Sequence, residues 1–207
     1  MDVTCGARAS VSAVWVRRAA IRPVPSFALV GEAVLARIED ELAREGDEAR
    51  NKLDDAFARF EDTQPVLADR LSDELARPLD ETALALGYFL TLAVWLAFEQ
   101  TFGEALGKVN EIALKGVEEA LALDEQIRLS DPAEVVDSDD VVAMEQPHLI
   151  AFVNEHLDAA LEANADDVDV DDVHEIYRIV LIEILALSYA VTSPIQPASA
   201  LSTEFTA

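Results

Sequence analysis

Residues Thr82–Phe98 read TALALGYFLTLAVWLAF, 17 consecutive residues without a charge. A run of that length sits at the lower limit for a helix that crosses a bilayer. Its surroundings argue for a buried helix instead. Asp80 and Glu81 precede it, Glu99 follows it, and the nearest cations, Arg77 and Lys108, lie too far off to set an orientation. Asp80 suits an N-cap and Gly103 a stop. The segments on either side are amphipathic, and each needs an apolar surface to cover. One central helix wrapped by amphipathic ones satisfies both needs, so no membrane span is expected.

Working outward, the apolar period stays near 3.6 and no run alternates as a strand does. Upstream, Phe27, Val30, Val34, Leu35, Ile38 and Leu42 form one stripe from about Ser26, closed by Gly46. A second helix covers about 48–61, with Leu53, Phe57 and Phe60 on one side. Pro65 fits the first position of a third, marked by Leu67, Leu71 and Leu75 and ended by Pro78. Downstream, a fifth helix is expected over about 104–128. Leu106, Val109, Ile112, Ala113, Val117, Ala120 and Leu121 form its apolar stripe, with Gly107 and Gly116 interrupting on opposite faces. Asp131-Pro132-Ala133-Glu134 reads as a capping box that opens a short helical stretch to about Met144. A helix over 147–163 begins at Pro147. A last one, over about 171–192, is apolar throughout Ile179–Val191 except at Glu183.

The fold expected is all-α: a bundle of about seven to eight helices around two hydrophobic ones, near 82–102 and 175–191. A single domain would span 27–192, with 193–207 as a loose tail. No internal repeat stands out, so a solenoid is not expected.

Charge separates the chain into unlike parts. Of 207 residues, 41 are acidic and 15 are Lys or Arg, a net charge of −26. Yet 51% are hydrophobic and mean hydropathy is +0.16. That pairing excludes a disordered acidic tail, and the acidity opposes direct nucleic-acid binding through a basic face. Residues 1–26 run against this trend, with Arg8, Arg17, Arg18 and Arg22 against Asp2 alone. Three readings stand for them: translation from a misplaced start, a disordered or docked arm, or a transit-like segment. In each they lie outside the fold. The single Cys5 excludes an intramolecular disulfide and a multi-cysteine zinc site. A cytoplasmic location is expected. The acidity also suits salt adaptation, solubility or a basic partner.

Candidate sites are few. Glu145-x-x-His148 and Asp171-x-x-His174 place an acid and a histidine at the i, i+3 spacing used in carboxylate-bridged di-iron bundles. Pro147 interrupts the first, Asp replaces Glu in the second, and both fall at helix starts. His148 also points away from its helix's apolar face. These four are weak metal candidates, and no metal or cofactor is expected. The acidic run Asp166–Asp172 resembles a calcium loop only in its first positions. Asp172 stands where Gly is needed and Arg178 where a bidentate Glu is needed, so Asp169 or Asp171 is expected to cap the last helix. His156 lies at the flank of its stripe and is expected to bond to a neighbour. Glu183, the lone charge of its run, either reaches water at the edge of the packed face or is buried. If buried it needs a raised pKa or a partner from Tyr88, Tyr177, Tyr189 or Arg178.

No catalytic motif is present. The expected function is non-enzymatic: a protein-binding, regulatory or structural module with a protein partner or a second copy of itself, contacting it through the acidic surface. Two alternatives are a small-molecule or metal site in the core near Glu183 and Glu99, and an acidic mimic of nucleic acid that occupies a basic protein.

Overall fold

Asp80 starts the central helix by folding its carboxylate back on the chain. Its Oδ1 accepts the N–H groups of Thr82 and Ala83 at 2.8 and 2.9 Å. The helix then runs over Glu81–Phe102 and is buried without a break from Leu90 to Phe98. In the computed structural model, which describes residues 20–43, 47–130, 138–163 and 168–194, it is the fourth of eight helices. In order these are α1 (Glu32–Leu42), α2 (Asp47–Thr63), α3 (Pro65–Leu75), α4 (Glu81–Phe102), α5 (Glu111–Ser130), α6 (Ser138–Glu145), α7 (Pro147–Ala163) and α8 (Val170–Ala190). Among the described residues there is no strand, only one antiparallel bridge, between Leu106 and Val191. The all-α bundle with two apolar central helices is therefore the fold.

α8 is the principal partner of α4, and α1 and α7 cover α4 further. Asp169 caps α8 by accepting the Asp171 N–H at 2.9 Å, and Ile179–Ser188 are buried throughout. The two helices approach closely at Gly87, where an added Cβ would lie 2.8 Å from Ile176 Cδ1. α4 with its 3₁₀ extension is long and apolar enough to cross a membrane, but 67% of its most apolar window is buried inside the protein.

Two helix starts differ from the periodicity, for one reason. α1 begins at Glu32 rather than Ser26: a 3₁₀ turn covers Ser26–Ala28, and the chain is then extended. α5 begins at Glu111 rather than 104, after an extended stretch from Leu106. In each stretch the backbone groups a helix would use are taken elsewhere. Gln146 Nε2 donates to Ala28 O at 2.6 Å, and its Oε1 accepts from Val30 N at 3.2 Å. Gln64 does the same with Gly107 O at 3.0 Å and Val109 N at 2.9 Å. Both glutamines are buried, and each immediately precedes the proline that opens a helix.

That pairing exposes a repetition which the apolar period alone does not show. An extended stretch leads to α1, α2, a Gln-Pro, α3 and α4. A second then leads to α5, α6, a Gln-Pro, α7 and α8. Val30, Glu32, Leu35, Ile38 and Leu42 recur at the same spacing as Val109, Glu111, Leu114, Val117 and Leu121. Gln64, Leu67, Leu71 and Leu75 recur as Gln146, Leu149, Val153 and Leu157. Packing repeats as well: α1 lies on α4 as α5 lies on α8, and α2 on α3 as α6 on α7. Each half's glutamine clamps the other half's extended stretch, and the Leu106–Val191 bridge joins the ends of α4 and α8.

The packed body also starts before residue 26. Ile21 and Val24 are buried, Ala20 N donates to Asp124 Oδ1 at 3.0 Å, and Val24 N donates to Glu145. The change in composition at 26 therefore does not mark an edge of the packing. Residues 1–19, Gly46, the capping box at 131–134, Asp166, Asp167 and residues 195–207 lie outside the described residues.

Candidate functional site

A groove of about 540 Å³ lies between Ala20–Arg22, the start of α5 and the last turns of α8. Val109, Val117, Leu185 and Ala186 form its apolar floor. Asn110 caps α5 there, its Oδ1 accepting the Ala113 N–H at 2.9 Å. Arg22 lies at the rim, its guanidinium 4.0 Å from the centre of the Tyr189 ring, while the Tyr189 hydroxyl donates to Arg22 O. Lys108 also lines the groove, and its Nζ donates to Asp62 O at 2.9 Å.

The charge of this groove departs from that of the molecule. Among the described residues no Asp or Glu lines it, although 41 of the 207 residues are acidic. Among the described residues neither Arg22 nor Lys108 has a carboxylate at ion-pair distance. Arg59, Arg70, Arg77, Lys115 and Arg178 each pair with a glutamate, while Arg37 reaches Gln100 instead. A second, smaller concavity between α1, α2 and α4 shows the ordinary pattern, with Glu41 and Asp55 beside Lys52 and Arg59.

The outer face of α5, beside the groove, carries two large exposed apolar side chains. Ile112 is 87% exposed and Leu123 51%. At 100° per residue, Ile112, Gly116, Glu119 and Leu123 fall within about 60° of arc, with Ile112 and Leu123 about 16 Å apart and Glu119, its side chain 70% exposed and 3.8 Å from Lys115, between them. Ile112 was expected inside the stripe that faces the core. Because α5 starts at Glu111 rather than 104, the stripe that packs is Leu114, Val117 and Leu121, and Ile112 faces out. Gly116 is exposed, and a Cβ there would meet nothing within 4 Å, so the fold itself does not require glycine. Asp124, one turn beyond Ala120, is fully buried and holds Ala20 at the end of the groove. Sequence reasoning missed it, because an acid on an amphipathic helix reads as solvated.

Glu183 does not reach water: it is 3% exposed. No hydrogen bond joins it to any of the four partners expected from the sequence. Arg178 pairs with Glu125 at 3.2 Å, Tyr189 lies against Arg22, and Tyr88 is 43% exposed and packs edge-on against Phe57. Glu183 shares a small cavity of about 10 Å³ with Arg70, Thr91, Phe60 and Leu71 instead. Burial pushes its carboxyl well above the usual carboxylate range, against the smaller opposing pulls of the Thr91 hydroxyl and Arg70. Neither its oxygens nor Thr91 Oγ1 makes a well-formed hydrogen bond within the protein. Arg70 is turned toward Glu118 and Glu74.

The other candidates do not converge. Glu145 holds Val24, whereas His148, Asp171 and His174 are exposed at helix starts. Glu99 is on the surface in a two-point pair with Arg59, at 3.0 and 3.3 Å. His156 behaves as its position suggests: Nδ1 lies 2.9 Å from Phe152 O, and the ring packs against Phe89 and Phe152. Among the described residues no three acids, histidines or cysteines form a group able to hold a metal. Comparison with known proteins finds no matching family model, no similar curated protein and no similar solved structure.

Proposed function

We propose that the protein is a non-enzymatic binding module that acts in the cytoplasm on a protein partner, through the outer face of α5 and the groove beside it. The observation that carries this reading is the pair of exposed aliphatic side chains Ile112 and Leu123 on the outer face of α5, with Ile112 lining an adjacent apolar concavity. Two large aliphatic side chains three turns apart, with Gly116 and the Lys115-paired Glu119 between them, suit a second helix that approaches closely at the glycine. The repeated architecture supports it further. The positions on α1 that match Ile112 and Gly116 are Ala33 and Arg37, and Arg37 reaches Gln100 at 3.4 Å. The shared packing scheme therefore does not demand an apolar outer face; α5 alone carries it. This also shifts the contact away from the acidic surface to which the composition points.

The double substitution Ile112→Glu, Leu123→Glu tests the reading. Both positions are exposed, so the melting temperature should change little. Crosslinked complexes captured from the native lysate, and any self-association seen by light scattering, should be lost. An unchanged set of complexes and an unchanged mass would overturn the assignment of this face.

A further inference from the structure

The proposed binding face leaves open what the partner presents to it, and the charge of the groove bears on that question. In a chain of net charge −26, a concavity of about 540 Å³ lined by two cations and, among the described residues, no acid runs against the composition. Arg22 and Lys108 lack a carboxylate at ion-pair distance among the described residues, while the cations elsewhere that pair do so with glutamates. Lys108 stands just before α5 begins, where the exposed N–H groups of a helix start add partial positive charge, and Arg22 lies against Tyr189 in the last turn of α8. On α5 the exposed apolar side chains are Ile112 beside that start and Leu123 three turns on, with Glu119 between them.

A ligand that matches all of this has apolar side chains about three helical turns apart and a negative charge at one end or along one flank. We propose that the groove docks an amphipathic helix of a partner protein whose flank carries carboxylates, placed to meet Arg22 and Lys108. The proposal rests on the assignment of the α5 face as a binding surface. It predicts a preference opposite to the one the whole-molecule charge imposes. An acidic protein attracts basic peptides at long range, but at physiological ionic strength that field decays over about 8 Å, so contacts inside the groove decide the outcome.

The experiment uses two designed helical peptides of about 18 residues with the same leucine ridge, one flanked by Glu and the other by Lys. Binding to the full chain is read by fluorescence anisotropy at about 150 mM salt. The expected result is that the Glu-flanked peptide binds at least tenfold more tightly. Arg22→Gln and Lys108→Gln, tested singly and checked by thermal melts, should each weaken it several-fold while leaving the Lys-flanked peptide unaffected. Tighter binding of the Lys-flanked peptide that is abolished by Ile112→Glu, Leu123→Glu would overturn the carboxylate preference and leave the binding face standing. Absence of saturable binding by either peptide would overturn both.

Discussion

The two halves of the molecule use one plan and finish it differently. Each has an extended stretch, an outer helix, a short helix pair joined by Gln-Pro, and a long apolar helix at the centre. In the first half the central helix α4 is uncharged along its buried run, and the outer face of α1 is polar. In the second half the central helix α8 buries Glu183, and the outer face of α5 bares Ile112 and Leu123. By the match of their buried positions, Glu183 stands where α4 has Ala93. What the halves share is needed for packing. What only the second half carries is free to serve something else.

The largest effect tests whether the two central helices are equally tight. Trp95 is fully buried against Phe60, with ring centres 5.4 Å apart. Trp95→Ala should cost about 3–5 kcal/mol. Its counterpart by burial is Leu185, which floors the groove, and Leu185→Ala should cost less because the groove side can relax. Equal losses in chemical denaturation would mean that the groove floor is as rigid as the centre.

The reciprocal clamps come next. Gln146→Leu would strand Ala28 O, Val30 N and the Ser188 contact; Gln64→Leu would strand Gly107 O and Val109 N. At about 1–3 kcal/mol for each buried group left unpaired, partly relieved by relaxation, both variants should melt clearly lower, with Gln146→Leu the worse. A clamp that can be removed without loss would break the equivalence of the halves.

Glu183 distinguishes them by pH. Its folded pKa is raised, so its contribution to stability is fully present below the unfolded value near 4.3 and is lost as pH rises through the folded value. Glu183→Gln should therefore match the parent at about pH 4 and exceed it increasingly above, by about 1.4 kcal/mol for each unit of the raised pKa. Parallel melting curves across pH for parent and variant would show that Glu183 titrates normally.

The smallest effect separates folding from binding. Gly116→Ala should stabilise α5 by about 0.5–1 kcal/mol, since nothing in the fold crowds that position. It should also weaken a helix docked against α5. A stabilised protein with undiminished binding would remove Gly116 from the contact.

Much of the fold was readable because burial in a helix leaves a period. Asp80 as cap, Pro65 and Pro147 as first residues, and the two apolar centres all follow from local chemistry. The starts of α1 and α5 were not readable, because the bonds that keep residues 28–30 and 107–109 extended come from glutamines far away in sequence. The repetition was hidden for a related reason. Apolar positions recur in every amphipathic helix, and the loops between matched elements differ in length, so no constant period survives. The candidate site was the least readable. Ile112 fits an apolar stripe, and only the true start of α5 turns it outward.

The sequence by itself determined that this chain folds as helices around two apolar ones, since period, caps and uncharged runs are local properties. Tertiary structure alone decided that Glu183 is walled in, that Ile21 and Val24 belong to the core, and that a groove of an acidic protein is lined by no acid among the described residues. Those are matters of which distant segments meet, and side-chain burial and local charge are set by that meeting rather than by neighbours in the chain.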